Sequence, residues 1–563
     1  MYGFTIIINN SHSFSTPSDH SILHRSNATG QQYAFFYRQN QSFINDKIFA
    51  EDKNYIIGID GVILNLKQLM NANAVSGIRQ LVMKLLENGN TDFFNHFMGD
   101  FCGFVFDKQD DSLLFFVNQT GTKKCFYLVD NGSIVLSPDL DQIASYKKLA
   151  ALPMLLNTDA AYSLLTFGGM IEKETIIEGV SRLLAGECLK IQNGRLTMDK
   201  YRDFNNVVPS VSRKKEAIDK LDDMFSRNIG LEYGKDTEYG YNHLATLSGG
   251  LDSRMNVLAA NLAGYKTNNF CFSQPDYADH HISMKISRDF QDEYSFISLE
   301  NGPYVLDLPE NMTIYQGLIF YVSSAHYHYS LQHLDLDGYG IIHTGQIGDA
   351  VLGGFMSKSY ANPQFFSKRL SDKLLHRIRP VETNKYASDE VFKIYNRLFN
   401  VTVSGSWVTE YHQKYLISPF LEADFIELCL SIDPSLKKDS HIYIEWMKAK
   451  RPQTVRYAWE RTGFRPNAAW KTPLSRYTNK AKSVFRKISG QSAQTSMNPY
   501  EHWYATNPEI KAFFDSYVGQ HIDLLAASQL KSDVLMLFNT GNTIEKTLVL
   551  TLLDAVKRFG LSS

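Results

Sequence analysis

The sequence predicts an α/β protein in two parts. Residues 1–205 read as a layered α+β domain, and residues 213–563 as a parallel-sheet domain with a helical carboxy-terminal part. Three observations predict this. Short apolar or alternating runs fill the first part, the mark of a layered sheet. From Arg213 onward, helix-length segments alternate with short buried runs, as in a parallel sheet flanked by helices. Between one such run and a helix-period stretch lies Ser248-Gly249-Gly250-Leu251-Asp252-Ser253.

In the first part, residues 2–8, 33–37, 55–59, 103–107, 112–117, 125–129 and 133–137 read as strands. Asn-Gly and Asp-Gly steps punctuate them, and residues 75–86 carry the helical period. In the second part, residues 243–247, 268–272, 294–299 and 340–343 read as buried strands. After Pro363 the chain becomes mainly helical. Residues 490–498 form a polar loop or linker, and residues 543–559 an apolar helix expected to pack back onto the domain.

Length and composition bound the answer. A chain of 563 residues holds at least two domains. With 44% apolar and 21% charged residues, it has an ordinary globular composition. A net charge of −2 argues against a polyanion partner, so no nucleic acid is expected. The five cysteines form no CxxC pair and no zinc spacing, which fits a reducing compartment. No apolar run approaches the roughly 20 residues of a membrane span. A cytoplasmic protein is the expectation.

The Ser248–Ser253 segment carries the chemistry. Two glycines let the backbone fold tightly, so that N–H groups can converge on an anion, and the following helix adds its positive end. Asp252 supplies a hard oxygen for Mg²⁺, and Ser248 and Ser253 supply hydroxyls. The set suits a pyrophosphate. No G-x-x-x-x-G-K-[ST] loop occurs in the chain.

The segment resembles the SGGxDS signature of the ATP-pyrophosphatases. Further motifs resemble the asparagine synthetase family. Met1-Tyr2-Gly3-Phe4 stands where that family has Met-Cys-Gly-Ile, and Asp60-Gly61 where it has Asn-Gly. Residues 97–107, 121–127 and 137–139 follow the family's order. Thr344-Gly345-Gln346-Ile347-Gly348-Asp349-Ala350 resembles Ser-Gly-Glu-Gly-x-Asp-Glu. The resemblance covers residues 1–475. It implies an amino-terminal glutamine amidotransferase-like domain with an Ntn-type sandwich, followed by an adenine-nucleotide α-hydrolase-like synthetase domain.

Two departures imply that the glutaminase chemistry is lost. Tyr2 replaces the nucleophilic cysteine, and a phenol is a poor nucleophile near neutral pH. Asp60 replaces the asparagine that helps hold the oxyanion, where a negative charge would repel the developing one. The relatives of this family, the β-lactam synthetases and lasso-peptide cyclases, also lack a working glutaminase site.

The resemblance implies ATP and Mg²⁺ as cofactors. Asp252 and Asp349 are the metal candidates, with a helix cap as the other reading of Asp349. Ser248, Gly249, Gly250 and Ser253 would cradle pyrophosphate. Leu247 and Phe272 would frame adenine, and Gly345 lies at a strand's carboxyl end. Asp279 is either an acidic site residue or a helix cap. His326 and His328 are packing residues or line an acceptor pocket. Adjacent His280 and His281 do not share a helix face and so make no metal pair. Arg461 or Lys471 would stabilise the leaving pyrophosphate. Gln346 replaces a glutamate and cannot act as a base. Glu382 is either that base or a surface residue.

The expected function is an ATP-dependent amide-forming ligase acting through an acyl-adenylate. Ammonia or a substrate amine would be the nucleophile, and a small-molecule or peptide carboxylate the acceptor. Asparagine synthesis from aspartate, a non-catalytic ATP-binding scaffold and a tRNA-modifying enzyme are the rivals. A homodimer or a biosynthetic partner protein fits any of these.

Overall fold

The computed structural model describes residues 2–9, 18–26, 30–192, 194–355, 369–466, 496–526 and 528–562. Its first twelve strands are β1 (Gly3–Asn9), β2 (His20–Arg25), β3 (Gln32–Arg38), β4 (Ile48–Glu51), β5 (Tyr55–Ile63), β6 (Gly99–Asp107), β7 (Ser112–Val117), β8 (Phe126–Asp130), β9 (Ser133–Ser137), β10 (Val180–Arg182), β11 (Glu187–Gln192) and β12 (Arg195–Lys200). They form two antiparallel sheets, ordered β10-β8-β9-β1-β3-β2 and β12-β11-β7-β6-β5-β4.

The sheets pack face to face through Phe4, Ile6, Phe35, Phe104, Phe106 and Leu189. Their outer faces are covered as well. Ile57, Ile59 and Val105 meet Leu81 and Val82 of the helix Ile78–Glu87. Ile7 and Val135 meet Leu140 and Ile143 of the helix Leu140–Leu149. The result is a helix–sheet–sheet–helix sandwich, the layered α+β arrangement expected. Every residue of β1 is buried because it has a covered layer on each side.

The expected strands are present, and several extend further than read. β2, β4, β10, β11 and β12, and the helix Leu66–Ala72, are additional. β2 and β12 lie at sheet edges and are largely exposed, so their sequences lack the alternation of a half-buried strand.

The second sheet system consists of β13 (Asn242–Thr246), β14 (Asn268–Ser273), β15 (Glu293–Ser298), β16 (Tyr339–His343) and β17 (Tyr415–Ile417). The order is β15-β14-β13-β16-β17, and every pairing is parallel. β17 is three residues long, too short to carry a readable pattern. One face, with Leu244, Phe270, Ile342 and Leu416, packs against Leu308, Met312, Tyr327 and Leu331. The other, with Ala245 and Leu247, packs against Val257, Leu258 and Ile286.

The order reverses at β13. The chain steps outward to β14 and β15, then returns to β16 on the opposite side. At such a switch point the loops diverge and open a crevice beyond the strands' carboxyl ends. The carboxy-terminal helix Thr543–Phe559 begins with a capping box from Asn542 and Glu545 and buries Leu548, Leu552 and Val556. It packs back as expected. The linker 490–498 lies outside the described residues up to residue 495.

Candidate active site

A cavity of about 500 Å³ opens at that switch point. Leu247, Ser248, Gly250, Asp252, Ser253, Phe272, Gly345, Gln346, Asp349 and Arg461 all line it. The structure thus gathers two motifs about a hundred residues apart around one space.

The helix Leu251–Leu262 starts inside the loop, with Gly250 as its cap residue. The N–H groups of its first turn have no intrahelical acceptors and point toward the cavity end. The Ser248 and Ser253 hydroxyls lie 3.0 Å apart. Two expected donors are engaged within the protein. Gly249 N donates to Asp279 Oδ1 at 2.8 Å, and Gly250 N to Ser248 Oγ at 3.1 Å. Gly249 does not line the cavity among the described residues. Neither N–H is free, whereas the helix that begins at Leu251, the next residue, opens onto the cavity.

Asp279 does not cap its own helix. The cap residue of Ala278–Phe290 is Tyr277. Asp279 instead ties that helix to the glycine loop. Burial pushes its carboxyl upward, while the Gly249 N–H and Arg254 hold it down.

Arg254, fully buried, is the clamp of the loop. Its guanidinium donates to the carbonyls of Gly249 at 2.6 Å, Gly250 at 2.9 Å and Ala458 at 2.7 Å, and to Thr454 and Tyr457, each at 3.2 Å. It thereby fixes the segment that carries Glu460 and Arg461 against the loop. Arg461 is exposed at the cavity and lies over the Trp459 ring. Lys471 lies outside the described residues.

The two metal candidates meet. Asp252 Oδ2 accepts from Asp349 N at 2.8 Å, and Asp252 Oδ1 from Tyr443 OH at 2.8 Å. Burial, and then the charge of Asp349, push the Asp252 carboxyl well above its ordinary range. Asp349 itself is exposed at the cavity, so the contact between the two residues runs from the Asp349 backbone to the buried Asp252 carboxyl. The approach is possible only because of glycine. A Cβ on Gly345 would lie 2.1 Å from the Asp252 carbonyl carbon, and one on Gly348 2.8 Å from Asp252 Cγ. Between them Ile347 is held at φ 71°, a left-handed conformation unusual for a β-branched residue.

Gln346 Nε2 donates to the Thr402 carbonyl, which directs Oε1 the other way. Gln346 Oε1, His326 Nδ1, Tyr327 OH and Glu460 Oε2 are buried without partners among the described residues, and all four side chains line the cavity. Buried polar atoms are normally paired, so these four are open to a water or a ligand in the cavity. Burial lowers His326 to about 4, so it is neutral near pH 7. His328 is away from the cavity, paired with His412 at 3.0 Å and Glu310 at 3.3 Å. Glu382 is exposed and outside the cavity lining; the glutamate present there is Glu460. Sequence reasoning missed Tyr443, Arg254 and Glu460. Only Glu460 had a signal, its place next to Arg461.

The amino-terminal departures are also resolved. Asp60 is fully buried, accepts from Tyr37 OH at 2.8 Å, and lies 3.6 Å from Lys47 and 3.4 Å from Lys123. Burial pushes its carboxyl up, but the two lysines carry it below its ordinary value. Its charge is thus matched by two lysines and is engaged within the core. Tyr2 is half-buried under Arg38, and burial raises its phenol further.

Residues 43–202 match the glutamine amidotransferase domain family. The fold is similar to parts of three solved structures. The allosteric regulatory enzyme of purine biosynthesis is 8% identical over 49% of this chain and 60% of its own, with a TM-score of 0.22. Glutamine phosphoribosylpyrophosphate amidotransferase from B. subtilis is 9% identical over 52% and 59%, also at 0.22. NMN synthetase from Francisella tularensis is 14% identical over 43% and 96%, at 0.19. The chain thus spans about 60% of the first two. No curated protein matches it. By sequence the amino-terminal part carries a glutamine amidotransferase domain, and by structure it is joined to a parallel α/β sheet with a cavity at its switch point.

Proposed function

We propose that the chain is an ATP-dependent amide-bond-forming ligase of the asparagine synthetase type. The single observation that carries this reading is the meeting of Asp252 and Asp349 beside a helix start in the switch-point cavity. A triphosphate chelating Mg²⁺ would engage both carboxyl groups and the N–H groups of the first turn. Asp252 and Asp349 would hold the ion, which supplies charge neutralisation on the pyrophosphate.

In this scheme a substrate carboxylate oxygen attacks the α-phosphorus of ATP, and pyrophosphate leaves. An amine nitrogen then attacks the acyl carbon of the adenylate, loses a proton, and AMP leaves. Arg461, exposed at the cavity, would stabilise the leaving pyrophosphate. Gln346 Oε1, directed by Thr402, accepts a hydrogen bond from the amine and so orients it. Enclosure by Phe270, Phe272, Tyr327 and Leu416 limits hydrolysis of the mixed anhydride.

The locked Asp60 and the phenol at position 2 favour ammonia or a substrate amine over the chain's own glutamine hydrolysis. Gln346, uncharged where asparagine synthetases carry glutamate, disfavours aspartate as the acceptor. The test is AMP and pyrophosphate release by purified protein with ATP, Mg²⁺, an amine and a panel of carboxylates. Asp252→Ala is expected to lower AMP formation about 10²-fold or more. ATP binding without turnover on any carboxylate would favour the scaffold reading.

A further inference from the structure

Behind the parallel sheet, on the face covered by the helix Lys214–Tyr239, lies a buried cluster that the ligase scheme does not use. Asp236 and Glu232 come from that helix, His243 from β13 and His343 from β16. Glu232, Asp236 and His343 are fully buried, and the His243 side chain is 12% exposed. We infer that Asp236 Oδ2, His243 Nδ1 and His343 Nε2 form a binding site for a divalent transition metal of the zinc type.

The three ligand atoms lie within 4.8 Å of one another. His343 Nε2 is 2.8 Å, and His243 Nδ1 3.6 Å, from Asp236 Oδ2. A tetrahedral zinc ion with bonds of about 2.0–2.1 Å sets its ligands about 3.3 Å apart, between those two separations. The third pair, His243 and His343, lies within 4.8 Å, so shifts of up to about 1.5 Å would complete the site, with water in the fourth position.

The surroundings suit ligation. His343 Nδ1 is 2.8 Å from Glu232 Oε1, the carboxylate–histidine–metal arrangement that fixes the ring and exposes Nε2 to a metal. The other oxygen of Asp236, Oδ1, accepts from Ile341 N at 3.1 Å, which leaves Oδ2 turned toward the imidazoles. His243 Nδ1 is buried without a hydrogen-bond partner among the described residues. Tyr233 stacks on His343 with ring centroids 3.8 Å apart, and Tyr265 meets His243 edge-on.

Within the cluster two buried carboxylates, Glu232 and Asp236, face two imidazoles, with His343 at 2.8 Å from each carboxylate and His243 Nδ1 without a hydrogen-bond partner among the described residues. A divalent ion with two neutral imidazoles balances both carboxylates. Two imidazole nitrogens and one carboxylate oxygen are a zinc-type donor set. Because His343 directly precedes Thr344 and Gly345, the metal would pin the strand end that carries one wall of the cavity.

The experiment strips the full-length protein with a chelator, reloads it with Zn²⁺, dialyses it, and counts metal by mass spectrometry. About one zinc per chain is expected in the wild type and less than about a tenth in His243→Gln, with unchanged circular dichroism. Zinc should raise the Tm of the stripped wild type and leave that of the variant unmoved. Should the variant fail to fold, the wild type loaded with Co²⁺ should show the visible absorption of a tetrahedral site. A wild type that retains no zinc and shows no such absorption, or a folded variant that keeps its zinc, overturns the inference and leaves His343 as a hydrogen-bonded bridge between Glu232 and Asp236. None of these readouts depends on ligase activity.

Discussion

Glu460 is the residue whose role the fold changes most. Burial, and then the charge of Asp279, raise its carboxyl to about 7, with Arg254 offsetting part of the rise. Its pKa in the folded protein thus lies above the ordinary 4.5. The folded state therefore prefers the neutral acid. The stability this contributes is full below about 4.5 and is lost as pH rises through about 7. Glu460→Gln is expected to flatten that part of the Tm–pH profile, with the variant gaining on the wild type as pH increases. Parallel profiles across that range would show that Glu460 does not titrate there. A carboxyl poised near neutrality is also suited to proton transfer, which Gln346 cannot perform. By contrast, Asp252 and Asp349 were legible from sequence, because each sits beside glycines whose conformational use is local.

At the scale of elements, the site is a contact between two loops that only glycine permits. Gly345 runs directly over the start of the helix Leu251–Leu262. Gly345→Ala is expected to push the loop off Asp252, lower stability by roughly 1–3 kcal/mol, and abolish AMP formation. Denaturant titration and the AMP assay check both parts; wild-type values for each would refute the contact. The strand–loop–helix unit was readable because a buried run, a glycine turn and a helical period follow one another without interruption. The tie from Asp279 to Gly249 was not, since it joins residues thirty positions apart through sheet packing. Similarly, β17 became a strand because β16 offers it a paired edge, although three residues carry little pattern of their own.

Across the whole molecule, the two parts are joined by buried charge. Lys123 lies 3.4 Å from Asp60 in the antiparallel sandwich and 3.0 Å from Glu410 on the helix Ser404–Tyr411, the helix that also supplies Gly405 to the cavity wall. Lys123→Met would strand Glu410 without its partner and is expected to cost about 3–5 kcal/mol, read as a lower unfolding midpoint in urea. The same network bears on nitrogen supply. Tyr2→Cys is expected to release no glutamate from glutamine, because Asp60 stays bound to Lys47 and Lys123 instead of giving way to an oxyanion donor. Measurable glutamate release by that variant would show the amidotransferase pocket to be intact.

The sequence by itself determined the α/β class, the order of sandwich and parallel sheet, and the two glycine motifs with their aspartates. Those features follow from hydrophobic period and backbone sterics, which act over a few neighbouring residues. Only the tertiary structure decided that Gly249 is engaged by Asp279, that Glu460 lines the cavity and Glu382 does not, and that Asp60 is neutralised by lysines. It alone also brought Asp236, His243 and His343 together behind the sheet. Each of these depends on side chains from distant strands and helices meeting in a low-dielectric interior, where pairing and burial, rather than local pattern, set charge and geometry.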